Sequence, residues 1–306
     1  MALQIVEFFG LKPLDPAARA NVKARHCPFV DGKCIKPKHG SCTVRQIEDV
    51  SIICCPNRLY ANNLKALKDI ADSVFGGNCT LIAGNQIAER VKTGAFTGQE
   101  IAVFGRAWGR ELPLPTPKNK GKTKSSNYFM DWILAKVNAD GSLAEFVAVE
   151  VQTIDTTGNY IEQSEAYFEG KTFTDKQGRT PGFSSSGMNW ENVNKRILPQ
   201  LIYKGHVLRR EAKCSKGIFF VCPQQVLQRI KERLGDNMHD YDPGNGTITF
   251  WSYELGAPKP QGEYRELVFS GKFTTTVDQV ALAFTSPINL PERNVYETAI
   301  RKVLQS

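Results

Sequence analysis

No stretch of this 306-residue sequence is apolar for long enough to cross a bilayer as a helix. Its opening, MALQIVEFFG, has neither the basic start nor the small-residue cleavage site of a secretory signal. These two absences argue against a helical membrane protein and an exported one, and they favour a cytoplasmic chain. There is no internal repeat, which excludes a repeat architecture. Acidic residues are in the minority: 31 Asp and Glu against 39 Lys and Arg leave a formal net charge of +8. That excess suits either a generally basic surface or a polyanionic partner, because each neutralised phosphate releases condensed counterions.

The sequence also lacks any CxxC pair, although it holds eight cysteines. Five of them, Cys27, Cys34, Cys42, Cys54 and Cys55, fall in one short stretch. In a reducing compartment such clustering favours metal ligation over disulfides. Cys27, Cys34 and Cys42, with either Cys54 or Cys55, offer four ligands. Gly32 and Gly40 stand just before Cys34 and Cys42, where a metal knuckle needs close turns. Four thiolates make a tetrahedral site for zinc or iron. Cys54 rivals Cys55, and His26 or His39 could replace one cysteine. Reduced core thiols without metal are the alternative.

Apolar periodicity divides the rest. Residues 3–9 read as a short helix-like piece stopped by Gly10, 49–54 as a strand, and 62–75 as an amphipathic helix ended by Gly76-Gly77. Strands are expected at 80–83, 100–104, 218–221 and 247–253. Helices are expected at 85–91, 192–208 (interrupted or bounded by Pro199), 224–234 and 295–304. The mixture implies an α/β fold with a central sheet. The segment 116–127 carries four lysines without periodicity and reads as a solvated loop, or one that orders on phosphate.

The sharpest feature is a predicted β-hairpin, 129–137 and 144–153, folded about the turn at 138–141. Side chains alternate along a strand, so Val147, Val149 and Val151 share one face while Glu150 and Gln152 share the other. A tight turn pairs residues whose numbers sum to about 280, which sets Asp131 opposite Val149 or Glu150. Two carboxylates meeting there would repel unless a divalent cation bridges them, and oxygen ligands with open positions suit Mg²⁺. A plain hairpin with one solvated face remains the alternative.

Around the hairpin, FMDWILA (129–135) and EVQTIDTTGNY (150–160) resemble the catalytic segment of NotI-type restriction endonucleases. The same resemblance runs through EFFG (7–10), CPF (27–29), CTV (42–44), CPNR (55–58), NVNKR (192–196) with Gln200, Tyr203 and Lys204, and Pro223-Gln224. It covers most of residues 1 to about 235. It implies a PD-(D/E)XK core (a central mixed sheet flanked by helices) over 76–306, preceded by a four-cysteine metal module over 1–75 whose ligands would be Cys27, Cys34, Cys42 and Cys55, the CPNR match favouring Cys55 over Cys54. It further implies a type II enzyme cutting double-stranded DNA as a homodimer at a GC-rich palindrome, with catalytic Mg²⁺ and a structural iron, zinc being a possible substitute. Asp131 and Glu150 would be metal ligands. Gln152 would stand where the general motif has lysine and would position water or phosphate, and Glu111 would be an additional acid. Lys118, Lys120, Lys122, Lys124, Lys195, Arg196 and Arg209 are candidate phosphate contacts. A repair or recombination nuclease on the same core, and a non-catalytic DNA-binding protein, are the competing readings.

Overall fold

Residues 3–8 are too few to separate a helical period from a strand period, and the helix-like reading of 3–9 is overturned by a long-range partner. The segment is strand β1 (Leu3–Phe8), paired antiparallel with β2 (Ser41–Gln46) so that Ile5 faces Val44. Leu3 and Ile5 are buried, while Gln4 and Val6 are half-exposed, the alternation of a strand. Left-handed backbone at Phe9 and Gly10 (φ 49° and 86°) ends it. β3 (Ile52–Ile53) completes a three-stranded sheet in the order β1-β2-β3. The computed structural model describes the chain except residues 1, 31, 37–39, 47–49, 107, 115–127, 159, 175–180, 236, 287–289, 291 and 306. His39 and the lysine-rich segment 116–127 therefore lie outside the described residues.

Helix α1 (Ala61–Phe75) follows. Asn62, Asn63 and Leu64 take left-handed φ values, so its regular part begins after Leu64. The next elements are β4 (Thr80–Ala83), α2 (Ile87–Thr93), β5 (Glu100–Gly105), β6 (Trp132–Val137) and β7 (Leu143–Val151). Helix α3 (Ile161–Phe168) precedes α4 (Leu198–Leu208). α4 is entered through a wider π-type turn at Val193–Ile197, and Pro199 sits in its first turn. Proline has no N–H to bond backward there, so the irregular entry relieves the clash instead of breaking the helix. Then come β8 (Ile218–Pro223), α5 (Gln224–Leu234), β9 (Thr247–Leu255), β10 (Leu267–Thr276), α6 (Val277–Thr285) and α7 (Val295–Leu304).

The large sheet has the order β10-β9-β8-β7-β6-β5-β4. Only β6 and β10 run against the remaining strands, so the sheet is mixed. Helices cover both faces. On one, Val103, Leu134, Val147, Val149, Phe219 and Val221 pack against Leu67 and Ile70 of α1. On the other, Ala148, Ile218, Phe220 and Phe250 meet Tyr167 of α3, Leu201 and Leu208 of α4, Val226 and Ile230 of α5, and Val280 of α6. Each fully buried Leu or Ile contributes roughly 1.5–3 kcal/mol. Residues 3–75 join both layers: α1 covers one face, while Leu3, Ile5, Phe8 and Val44 enter the cluster on the other. The result is a mixed α/β fold around a large central sheet. Among the described residues, no helix is long and apolar enough to cross a membrane.

Candidate active site

The hairpin β6–β7 positions the acids. Its register runs from Trp132 opposite Val149 to Lys136 opposite Glu145, pairs summing to 281 (132 + 149), one residue from the expected 280. Val147, Val149 and Val151 all face α1, whereas Ala148 faces the α4 side. Glu150, alternating with the valines, therefore projects toward α4. Asp131 sits at the bend just before β6, and its Oδ2 accepts a hydrogen bond from the Val151 N–H at 2.7 Å. That contact ties the two strand ends together and brings Asp131 beside Glu150.

Glu150 is buried, at 6% exposure. Its Oε1 accepts from Lys204 Nζ at 2.6 Å, while its Oε2, also buried, has no hydrogen-bond partner among the described residues. Burial, and then the neighbouring Asp131 carboxylate, push the Glu150 carboxyl up to about 7, against the pull of the Lys204 ammonium. Burial likewise raises the Asp131 carboxyl, with Glu111 adding to the rise and the Val151 N–H and Lys204 opposing it. Tyr60 belongs to the same neighbourhood. Its ring stands edge-on to Trp132 at 5.4 Å, and burial followed by the Asp131 charge raises its phenol.

Glu111 is near enough to Asp131 to raise its carboxyl, and it follows a tight reversal of the chain after β5. The Gly105 N–H donates to Trp108 O at 2.9 Å, and Gly109 bridges back onto Gly105. At Gly109 (φ +84°) a Cβ would lie 1.9 Å from the Val103 carbonyl oxygen, so glycine is required there. Arg110, next along, is held at φ 91°, a conformation costly for a side-chain-bearing residue. Gln152 lies just beyond β7, half-buried, with its N–H bonded to the Val221 carbonyl at 3.0 Å.

The arrangement suits a hard divalent cation. Such an ion takes one or two carboxylates and completes its shell with water and substrate phosphate, and a buried carboxylate oxygen with no hydrogen-bond partner among the described residues could serve as one of its ligands. Among the described residues, no three His, Cys, Asp or Glu side chains stand close enough to enclose an ion by themselves.

The residues singled out earlier did not include Lys204 or Tyr60 in the site. For Lys204 a signal was present. Leu198, Leu201 and Leu208 line the buried face of α4 at helical spacing, and Lys204 falls on that same face. A lysine in an apolar stripe needs a counter-charge. Tyr60 carried no comparable mark.

In the N-terminal region Cys27, Cys42, Cys54 and Cys55 are buried and Cys34 half-buried. The thiols of Cys34 and Cys27, Cys27 and Cys55, and Cys55 and Cys42 influence one another electrostatically, and Cys54 acts on Cys55 and Cys42 in the same way. Burial pushes the Cys55 thiol up to about 12. Cys54 turns into the apolar cluster with Phe8 and Val44, its Sγ 3.8 Å from the Ser41 carbonyl. Asn57 Nδ2 approaches Cys27 Sγ at 3.7 Å, and the Lys36 ammonium lies among Cys54, Cys55 and Cys42. Among the described residues, no three of these thiols stand close enough together to enclose an ion. Cys79, Cys214 and Cys222 are buried elsewhere.

Of the candidate phosphate contacts, Lys195 is exposed and pairs with Glu191 at 3.6 Å, Arg209 pairs with Asp278 at 2.6 Å, and Arg196 is exposed. The sequence model of one family, described as Restriction endonuclease NotI, matches residues 11–232. No curated protein matches the chain.

Proposed function

The chain belongs to the restriction endonuclease NotI family and is a type II site-specific deoxyribonuclease, and from that premise we propose that its catalytic centre is the Asp131–Glu150 pair on a PD-(D/E)XK core. The observation that carries this reading is the Glu150 Oε2 atom, buried without a partner beside a second carboxylate. Nothing in an ordinary solvated hairpin face calls for such an atom.

Restriction endonucleases generally use Mg²⁺, which when bound supplies positive charge and Lewis acidity at the scissile phosphate. Asp131 and Glu150 would hold it, and Glu111 stands near enough to share that charge. Gln152 carries no charge and cannot act as a base. Its amide can orient the attacking water or a phosphate oxygen. In the hydrolysis a water oxygen forms a bond to phosphorus, one phosphorus–oxygen bond to deoxyribose breaks, and the proton released by water ends on the departing oxygen. One site per chain cuts one strand, so cleavage of both strands at a palindrome calls for a two-fold homodimer. A GC-rich site would be read by arginines bidentate to guanine in the major groove.

Residues 1–75 would carry a structural iron, or zinc, on Cys27, Cys34, Cys42 and Cys55. The Lys36 ammonium, which lies near Cys42 and Cys55, would offset part of the negative charge of the thiolates. Such a site contributes on the order of 10 kcal/mol to folding of its module.

The test is incubation of the purified protein with a large defined duplex in Mg²⁺ and then in EDTA. Discrete fragments in Mg²⁺ alone are expected. A smear would point to a nuclease without site preference, and intact DNA in both would end the catalytic reading. For the metal module, elemental analysis and an absorption spectrum should show one thiolate-bound metal per chain. That metal should vanish in Cys55→Ser and persist in Cys54→Ser. A metal retained by Cys55→Ser would remove Cys55 from the ligand set.

A further inference from the structure

We propose that Lys204, reaching in from α4, is the cation of this active site and a positioning residue for Glu150, a role that rests on the reading of Asp131 and Glu150 given above. A centre that binds a phosphodiester and gathers negative charge on it needs fixed positive charge beside the metal. The strand that carries Glu150 does not provide it, because Gln152, on the same face two residues on, is neutral. Lys204 is separated from Glu150 by 54 residues of sequence, yet its Nζ lies 2.6 Å from Oε1, and both side chains are almost fully buried. Its charge reaches Asp131 as well.

The geometry of the contact assigns the work. Lys204 occupies one oxygen of Glu150 and leaves the other without a partner. The carboxylate is thereby held in one orientation, with Oε2 presented for a cation. The lysine is itself held in place. Leu201 and Leu208 anchor its helix in the core, and at Gly205 a Cβ would come within 2.5 Å of Val277 Cγ2, so α4 and α6 meet backbone-close at this turn. A lysine required only to neutralise a buried acid would make the same ion pair. The two roles differ in what happens to the metal when the charge is removed.

Removing a positive charge beside a cation site relieves repulsion, while the glutamine amide keeps a donor that can hold Glu150 Oε1 and so preserves the orientation of the carboxylate. Lys204→Gln should therefore bind Ca²⁺ no more weakly than the wild-type protein in a calorimetric titration, and bind duplex DNA in Ca²⁺ with similar affinity. Its single-turnover cleavage rate in Mg²⁺ should nevertheless fall by about 10²-fold, the scale of losing one preorganised electrostatic group. The double variant Lys204→Gln/Gln152→Lys, which returns the charge from the strand side, should recover a large part of that loss. Cleavage by Lys204→Gln at nearly the wild-type rate would overturn the proposal, and so would weakened Ca²⁺ binding in parallel with lost activity. If Lys204→Gln does not fold, the double variant decides. A folded, cleaving double variant supports a site cation, and one that is folded but inactive, or unfolded, overturns it. Asp131→Asn, run alongside, separates the two readings. Cleavage surviving in Asp131→Asn removes the catalytic reading itself, whereas loss there with cleavage intact in Lys204→Gln removes only this inference.

Discussion

Two buried carboxylate–cation pairs occur among the described residues, and they are built to different ends. In the N-terminal region Glu7 meets Arg58. Arg58 Nε bonds Glu7 Oε2 at 2.9 Å and Nη2 bonds Oε1 at 3.2 Å, the Thr43 hydroxyl also donates to Oε2, and Nη2 further reaches the Arg265 carbonyl at 2.6 Å. Both carboxylate oxygens are engaged. Nη1, which has no hydrogen-bond partner among the described residues, belongs to a guanidinium lying over the Phe29 ring at 4.7 Å. At the end of β7 Glu150 meets Lys204 through one oxygen and leaves the other buried and unpaired. A two-toothed, saturated pair locks β1 and β2 against the C-terminal part of the chain. A one-toothed pair leaves a ligand atom open. The comparison separates a charge used for structure from one kept for chemistry.

The largest expected effect is on the saturated pair. Arg58→Met should leave Glu7 buried without its partner and cost about 3–5 kcal/mol of stability, read from urea denaturation. A loss under about 1 kcal/mol, the scale of an exposed pair, would mean that the pair is not the lock its geometry suggests. Next comes the pH response of the open pair. Because the Glu150 carboxyl is raised to about 7 in the folded protein, the native state holds a proton that the unfolded chain has already released. Stability in EDTA should therefore be full below about pH 4.5 and decline as pH rises toward 7. Mg²⁺ or Ca²⁺ should restore more stability at about pH 8 than at about pH 5. Denaturation midpoints at several pH values would show this, and a cation effect independent of pH would contradict it. A smaller effect is expected at the turn that carries Glu111. Gly109→Ala forces a Cβ into the Val103 carbonyl at a left-handed φ and should cost about 1–3 kcal/mol. It should also slow cleavage, because Glu111 would be carried away from Asp131. A stable Gly109→Ala protein with unchanged cleavage would show that Glu111 is dispensable.

Parts of this design were legible in the residues alone. The hairpin register came within one residue because a short turn and a two-faced strand leave few pairings open. The helix at 224–234 was readable from its apolar spacing and the Gly235 that follows it. β1 was not, since six residues fit either period until β2 supplies the other half of its hydrogen bonds. Lys204 was quoted for its motif, and its position in the apolar stripe of α4 was visible. Its partner was not, because no local rule says which strand a helix face will meet 54 residues away.

What the sequence by itself determined are the features with short-range causes: the alternation that separates Glu150 from its valine neighbours, the turn that folds the hairpin, the grouping of cysteines, and the strands and helices with a clear apolar period. What only the tertiary structure decided is which charges touch. The partner of Glu150, the approach of Glu111 through the Gly109 reversal, and the saturation of Glu7 by Arg58 all depend on elements distant in the chain being packed against one sheet. Electrostatic fit inside a protein is a property of distances and burial, and only the packed fold sets those.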